Sequence, residues 1–151
     1  MRHVIFRLDK DRYALPLAAI REVVVPPERF TRVPRAPPVV SGVMNLRGRV
    51  VTVVELRGLL GLGPGVPVDP KLRTDRVVLL DRGRRDLGLL VSDVDGIDSI
   101  EKVTAAPGKS SPAVRGVARL RGWAVTVLDP DGVDGLVVQS FGGVSTPALR
   151  G

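Results

Sequence analysis

At 151 residues the chain has room for one domain or two small halves packed together, and 44% apolar content is enough for a core, but with 3% aromatics that core must be aliphatic. No apolar run approaches a membrane span, and zero cysteines exclude a disulfide framework or a thiolate metal site. A formal charge of +7 invites nucleic acid or a membrane surface as partner, yet the arginines are spread singly, commonly near an acid, and only Arg82, Arg84 and Arg85 cluster.

From the N-terminus, Val4 to Leu8 predicts a short strand, preceded by too little chain for a signal peptide before charge resumes at Arg7. The absence of cysteine fits a cytoplasmic protein without requiring one. Asp9-Lys10-Asp11-Arg12 is a polar turn, and Tyr13 to Leu17 a second strand in which Pro16 argues for an edge or a strand end. Ala18 to Arg21 predicts one helical turn, Glu22 to Val25 a strand stopped by Pro26-Pro27, and Pro34 to Pro38 a rigid connector. Gly42 to Glu55 then reads as a β-hairpin: two β-branched runs flank Leu46-Arg47-Gly48-Arg49, where Gly48 gives the backbone freedom of a tight reversal. Leu56 to Leu60 predicts a turn of helix, and Gly61 to Pro67 is the clearest linker.

A second round follows. Arg76 to Leu80 and Leu87 to Val91 predict strands around a basic turn, Ile97 to Val103 another, and Thr104 to Ala113 a second proline-containing connector. Gly116 to Asp129 repeats the earlier hairpin: Leu46 and Leu120, Arg47 and Arg121, Thr52 and Thr126, and the closing acids Glu55 and Asp129 align at one spacing. One extra residue in an early turn brings Val4-Ile5-Phe6 onto Val77-Val78-Leu79. Residues 4–58 and 77–132 are thus two copies of one unit, which predicts two small β-barrels or curled sheets sharing a core. Residues 1–136 are expected to form a single domain, and residues 137–151 a partly disordered tail.

Catalytic constellations do not emerge. His3 is the lone histidine, with no second imidazole and no cysteine to pair with it. Asp93-x-Asp95-Gly96 fails as a calcium loop because Val91 and Lys102 occupy ligand places, and Asp129-x-Asp131-Gly132 fails likewise with Val127 and Val138. Gly61-x-Gly63-x-Gly65 is no phosphate loop, since Pro64 and Pro67 prevent a helix from opening there. Ser41, Ser92, Ser110 and Ser111 have no base at legible spacing. The expectation is a protein without enzymatic activity or cofactor.

Several segments resemble the CheW family of chemotaxis coupling proteins. They are Tyr13-Ala14-Leu15-Pro16-Leu17, Ile20-Arg21-Glu22-Val23, the run from Pro37 to Leu56 with Asn45-Leu46-Arg47-Gly48 at its centre, Leu87 to Ile97, and Val114 through Asp129. The resemblance implies an all-β fold of two small five-stranded barrels around a shared hydrophobic centre. It also implies a non-enzymatic adaptor between the cytoplasmic tip of methyl-accepting chemoreceptors and the regulatory domain of the histidine kinase CheA, with no membrane insertion of its own. Carried onto this chain, Glu22 and Arg47 pair near the receptor-binding face, Gly42 and Gly48 flank it, Val23 and Val43 add apolar contact, and Asn45 stands beside Arg47. Thr52 replaces a usual proline and Glu55 a usual aspartate. Gly132 and Gly135 predict a weakened C-terminal helix. The competing reading is a small basic β-barrel that binds nucleic acid, although Phe6, Tyr13, Phe30, Trp123 and Phe141 are scattered rather than interleaved with arginine.

Overall fold

Short runs of valine, leucine and isoleucine separated by charged turns yield ten strands among the described residues. The computed structural model describes residues 1–63, 71, 73–81, 86–105 and 111–141. The strands are β1 (Arg2–Leu8), β2 (Asp11–Pro16), β3 (Ile20–Val24), β4 (Val40–Leu46), β5 (Arg49–Glu55), β6 (Arg76–Leu80), β7 (Leu87–Val91), β8 (Asp93–Ser99), β9 (Val114–Leu120) and β10 (Trp123–Leu128). A 3-10 turn spans Leu17–Ala19, α1 spans Leu56–Leu59 and α2 spans Pro130–Phe141.

The first sheet has the order β8-β1-β2-β10-β9 and the second β3-β6-β7-β5-β4. The all-β expectation holds, but neither sheet closes into a barrel: β8 and β9 end the first, β3 and β4 the second. Each sheet combines strands from both copies of the repeat, β1 and β2 with β8 to β10 in one, β3 to β5 with β6 and β7 in the other. Equivalent strands take equivalent places. The parallel pair Thr52–Leu87 is matched by Thr126–Tyr13, and the isolated bridge Thr31–Val43 by Thr104–Val117.

That register also corrects the alignment of the first strand. Ile5 faces Ala14 and Gly96, while Leu79 faces Gly88 and Glu22, so Ile5 is the counterpart of Leu79. The spacing between Arg47 and Arg121 therefore holds at the first strand as well, and no extra residue is needed in that early turn.

Three apolar clusters result. A central one lies between the sheets, with Phe6, Leu15, Leu56, Leu80, Leu89 and Leu128 fully buried. Each sheet also curls over a small core of its own, Ile5, Ala14, Ala118, Val125 and Val127 in the first, Met44, Val51, Val53, Val77 and Leu79 in the second. Burial of aliphatic side chains at about 25 cal/mol per Å² is the main force holding all three.

Two local expectations are overturned. The strand expected at Ile97 to Val103 is β8, Asp93–Ser99. Its aspartates and glycine resemble turn residues, but Asp93 and Asp98 accept hydrogen bonds from the Val94 and Ser99 amides, and Gly96, with φ of 134°, sits where the β1 pairing shifts register. The C-terminal helix is a full twelve residues and reaches Phe141, five residues into the expected tail. Asp129 accepts from the Asp131 amide at 3.0 Å, Pro130 occupies the first turn, and Val133 and Val137 are buried. A Cβ on Gly132 would lie 2.0 Å from the Pro112 carbonyl oxygen, so this glycine lets the helix dock. The basic turn 82–85 and the remainder of the tail, 142–151, lie outside the described residues.

Candidate functional site

The turn between β4 and β5 consists of two residues, Arg47 and Gly48, with φ of 51° and 84°. Positive φ at both positions gives the reversal whose twist suits a β-hairpin. Asparagine or glycine would be the relaxed choice for the first position; arginine there is held against its own preference. Asn45 braces the turn by accepting a hydrogen bond from the Gly48 amide at 2.9 Å.

From this turn the Arg47 guanidinium reaches back across the sheet and pairs with Glu22 of β3. Beside them Asp86 gathers two more guanidiniums, Arg49 at 2.6 Å and Arg21 at 3.1 Å. Together with Leu46, Val51, Leu79 and Leu87 these groups line a groove of about 230 Å³ with an apolar floor and a charged rim. Arg47 remains 68% exposed, so its charge is available to a partner. Exposed ion pairs of this kind contribute only about 0–1 kcal/mol to folding.

The residues read from the sequence are distributed around this groove rather than all within it. Glu22 and Arg47 line it, and Asn45 and Gly48 shape its turn. Val23 is 37% exposed on the neighbouring position of β3 but is not part of the lining. Val43 and Gly42 lie further along β4. Val43 exchanges two backbone hydrogen bonds of 2.8 Å with Thr31, and a Cβ on Gly42 would stand 2.5 Å from the Thr31 carbonyl oxygen. Gly42 thus admits the segment that covers the β4 edge, a structural role. Thr52 is explained similarly: its amide donates to the Asp86 carbonyl at 3.0 Å, a bond that proline could not make.

Arg21, Leu46, Arg49 and Asp86 are not among the site residues read from the sequence, although the first three stand in its motifs. Arg49 and Arg21 could have been found as charged residues at outward strand positions near the turn, but Asp86 belongs to the other copy of the repeat, and only the interleaved topology brings it here. Among the described residues no group of three or more His, Asp or Glu side chains is placed to hold a metal ion. No helix there is long and apolar enough to cross a membrane.

The family profile described as CheW-like domain matches residues 2–136. A chemotaxis protein CheW of Klebsiella aerogenes is 28% identical over 109 residues, covering 72% of this chain and 61% of that protein, so the match spans less than two thirds of the relative's length. A probable chemotaxis protein CheW of Rhizobium etli is 31% identical over 121 residues, 77% of this chain and 73% of the relative. The crystal structure of the scaffolding protein TtCheW from Thermoanaerobacter tengcongensis superposes with a TM-score of 0.73 at 22% identity, over 85% of this chain and 88% of that one, and shows the same fold.

Proposed function

The chain belongs to the CheW-like domain family, and from that membership we propose that it is a non-enzymatic adaptor of chemosensory signalling, coupling chemoreceptors to a CheA-type histidine kinase. Relatives bearing the name chemotaxis protein CheW, and a scaffolding protein of the same fold, support the pathway and the adaptor role. In this reading the protein works beneath the membrane, brought to receptor arrays by its partners. One side of the bridge is the receptor's cytoplasmic tip, the other the regulatory domain of the kinase.

One observation carries the site assignment. Arg47 is displayed at a strained two-residue turn, paired with Glu22, at the rim of an apolar-floored groove. Strained backbone persists where the surroundings over-determine it, and such positions cluster at binding sites. A receptor tip would set apolar side chains into the groove and polar groups against Glu22 and Arg47. Because the pair adds little to folding, Arg47→Glu is expected to keep the circular dichroism spectrum of the wild type while lowering receptor-dependent kinase autophosphorylation about tenfold in a reconstituted receptor–kinase–adaptor assay. Undiminished activation with a folded Arg47→Glu protein would place the receptor contact elsewhere.

A further inference from the structure

Beside the Glu22–Arg47 pair a second contact lines the groove, and three separate stretches of chain build it. The Asp86 Oδ1 atom accepts from Arg49 Nη2 of β5 at 2.6 Å and from Arg21 Nη1 of β3 at 3.1 Å. The Asp86 carbonyl in turn accepts from the Thr52 amide at 3.0 Å. Strands β3 and β5 stand apart in the sheet, with β6 and β7 between them. Two guanidiniums would repel each other at this distance, so the carboxylate at the start of β7 is what draws them together.

The repeat supplies an internal comparison. At the spacing that carries Arg47 onto Arg121, Asp86 corresponds to Arg12, Arg49 to Trp123 and Arg21 to Asp95. None of the three residues is kept, yet the contacts are. The Arg12 guanidinium lies 3.9 Å from the Trp123 ring centroid, and its Nε stands 3.4 Å from Asp95. In both sheets the central residue holds both flanks, and the flanks change with it. Either set builds the wall on this fold, so folding does not dictate which is used. The choice is left to what the wall faces.

On the second sheet it faces outward with a cation. The Arg49 side chain is 57% exposed and that of Asp86 19%, and Arg47 is likewise more exposed than Glu22. A partner entering the groove therefore meets guanidinium donors before it meets either carboxylate. Among the described residues Arg49 donates to Asp86 alone, through one of the five N–H groups of its planar fork. The outer donors are free for a carboxylate from outside. Arg21 is more recessed and also has Asp81 at 3.9 Å, outside the groove lining, which leaves Arg49 as the cation that a partner completes.

Resting on the receptor-coupling reading of this groove, we propose that Arg49 selects a partner that carries a carboxylate beside the apolar side chains it sets into the groove. Asp86 is the positioning residue that holds Arg49 for that contact.

The test is calorimetric titration of the full-length protein with the cytoplasmic fragment of the chemoreceptor used in the reconstituted assay. Each acidic residue of the fragment's tip is changed in turn to its amide. One such change is expected to weaken the wild type about tenfold and to leave Arg49→Gln, itself about tenfold weaker, unaffected. Asp86→Asn separates positioning from charge. It removes a negative charge from the groove, so attraction by charge alone would tighten binding of a carboxylate. A loss of about fivefold at an unchanged urea midpoint is expected instead, because a neutral amide holds Arg49 less firmly. The triple variant Arg21→Asp, Asp86→Arg, Arg49→Trp installs the combination used on the first sheet. It should keep the wild-type circular dichroism spectrum and bind as weakly as Arg49→Gln; should it fail to fold, the two single variants decide. The proposal is overturned if the fragment binds but none of its acids couples to Arg49, if Asp86→Asn binds as well as the wild type or better, or if the folded triple variant binds like the wild type. Those outcomes leave the receptor contact at Arg47 standing, whereas a fragment that does not bind the wild type at all overturns both readings.

Discussion

Arg47 and Arg121 occupy left-handed backbone conformations that cost an ordinary residue about 1–2 kcal/mol, and the chain accepts that cost in both copies of its hairpin. Arg47→Asn places a residue suited to positive φ at the turn and removes the guanidinium. Its urea midpoint is expected at or above that of the wild type, by up to about 1 kcal/mol, while receptor coupling falls as it does for Arg47→Glu. A destabilised Arg47→Asn protein would mean that the guanidinium, through Glu22, carries more of the fold than an exposed pair should. His3 offers the opposite case, a polar group buried where the equivalent position of the second sheet holds Val77. Its Nδ1 lies 2.9 Å from the Met1 carbonyl, which fixes the proton there, and its buried Nε2 has no hydrogen-bond partner. Burial pushes the imidazole below its ordinary 6.5, helped by the positive N-terminus and Arg115 and opposed by the Met1 hydrogen bond. Below 6.5 the unfolded chain binds a proton that the folded chain still refuses, so stability is complete above that pH and declines as pH falls through the window beneath it. In His3→Val the decline just below 6.5 should flatten, as read from urea midpoints at successive pH values. An unchanged slope would assign the pH dependence to other groups.

At the scale of elements, the repeat was legible because turn residues and strand ends recur at fixed spacing, but the pairing of the strands was not. Sequence spacing shows that two units are alike without showing that each sheet draws on both, since β1 to β8 and β3 to β6 are contacts between halves. The same blindness hid Asp86 from the Arg47 groove. Glycine was misread for a related reason. Gly132 and Gly135 are equal by helix propensity, yet one touches the Pro112 backbone and the other faces open space. Gly135→Ala is therefore expected to stabilise the protein by roughly 0.5–1 kcal/mol, because the methyl meets nothing and the unfolded chain loses freedom. Gly132→Ala should destabilise it by at least about 1–3 kcal/mol, because α2 must move off the Ala113 segment and loosen Val133 and Val137. Thermal melts of the two variants check both signs at once. Equal shifts would show that propensity alone governs this helix.

For the whole molecule, interleaving decides how the protein holds together. Four of the eight strand ladders among the described residues, β1 with β8, β2 with β10, β3 with β6 and β5 with β7, run between residues 2–55 and residues 76–128. Phe6 and Leu15 from one half and Leu80, Leu89 and Leu128 from the other meet in the central cluster. Neither half alone can complete a sheet or cover that cluster, and each would expose strand edges along its length. The chain passes between the halves through residues 64–70, a stretch rich in proline and glycine. A protease site inserted there should be cut without loss of the fold, because the ladders and the central core still join the pieces. The nicked protein is expected to elute at the size of the intact chain and to separate only in denaturant. Its midpoint should become concentration-dependent, since two fragments must now lose translational freedom on folding. Fragments 1–66 and 67–151 made separately should give no stable β spectrum, and mixing them should restore it. Two fragments that each fold alone would mean that the copies are independent units, and the pairing of β1 with β8 and of β3 with β6 would have to be wrong.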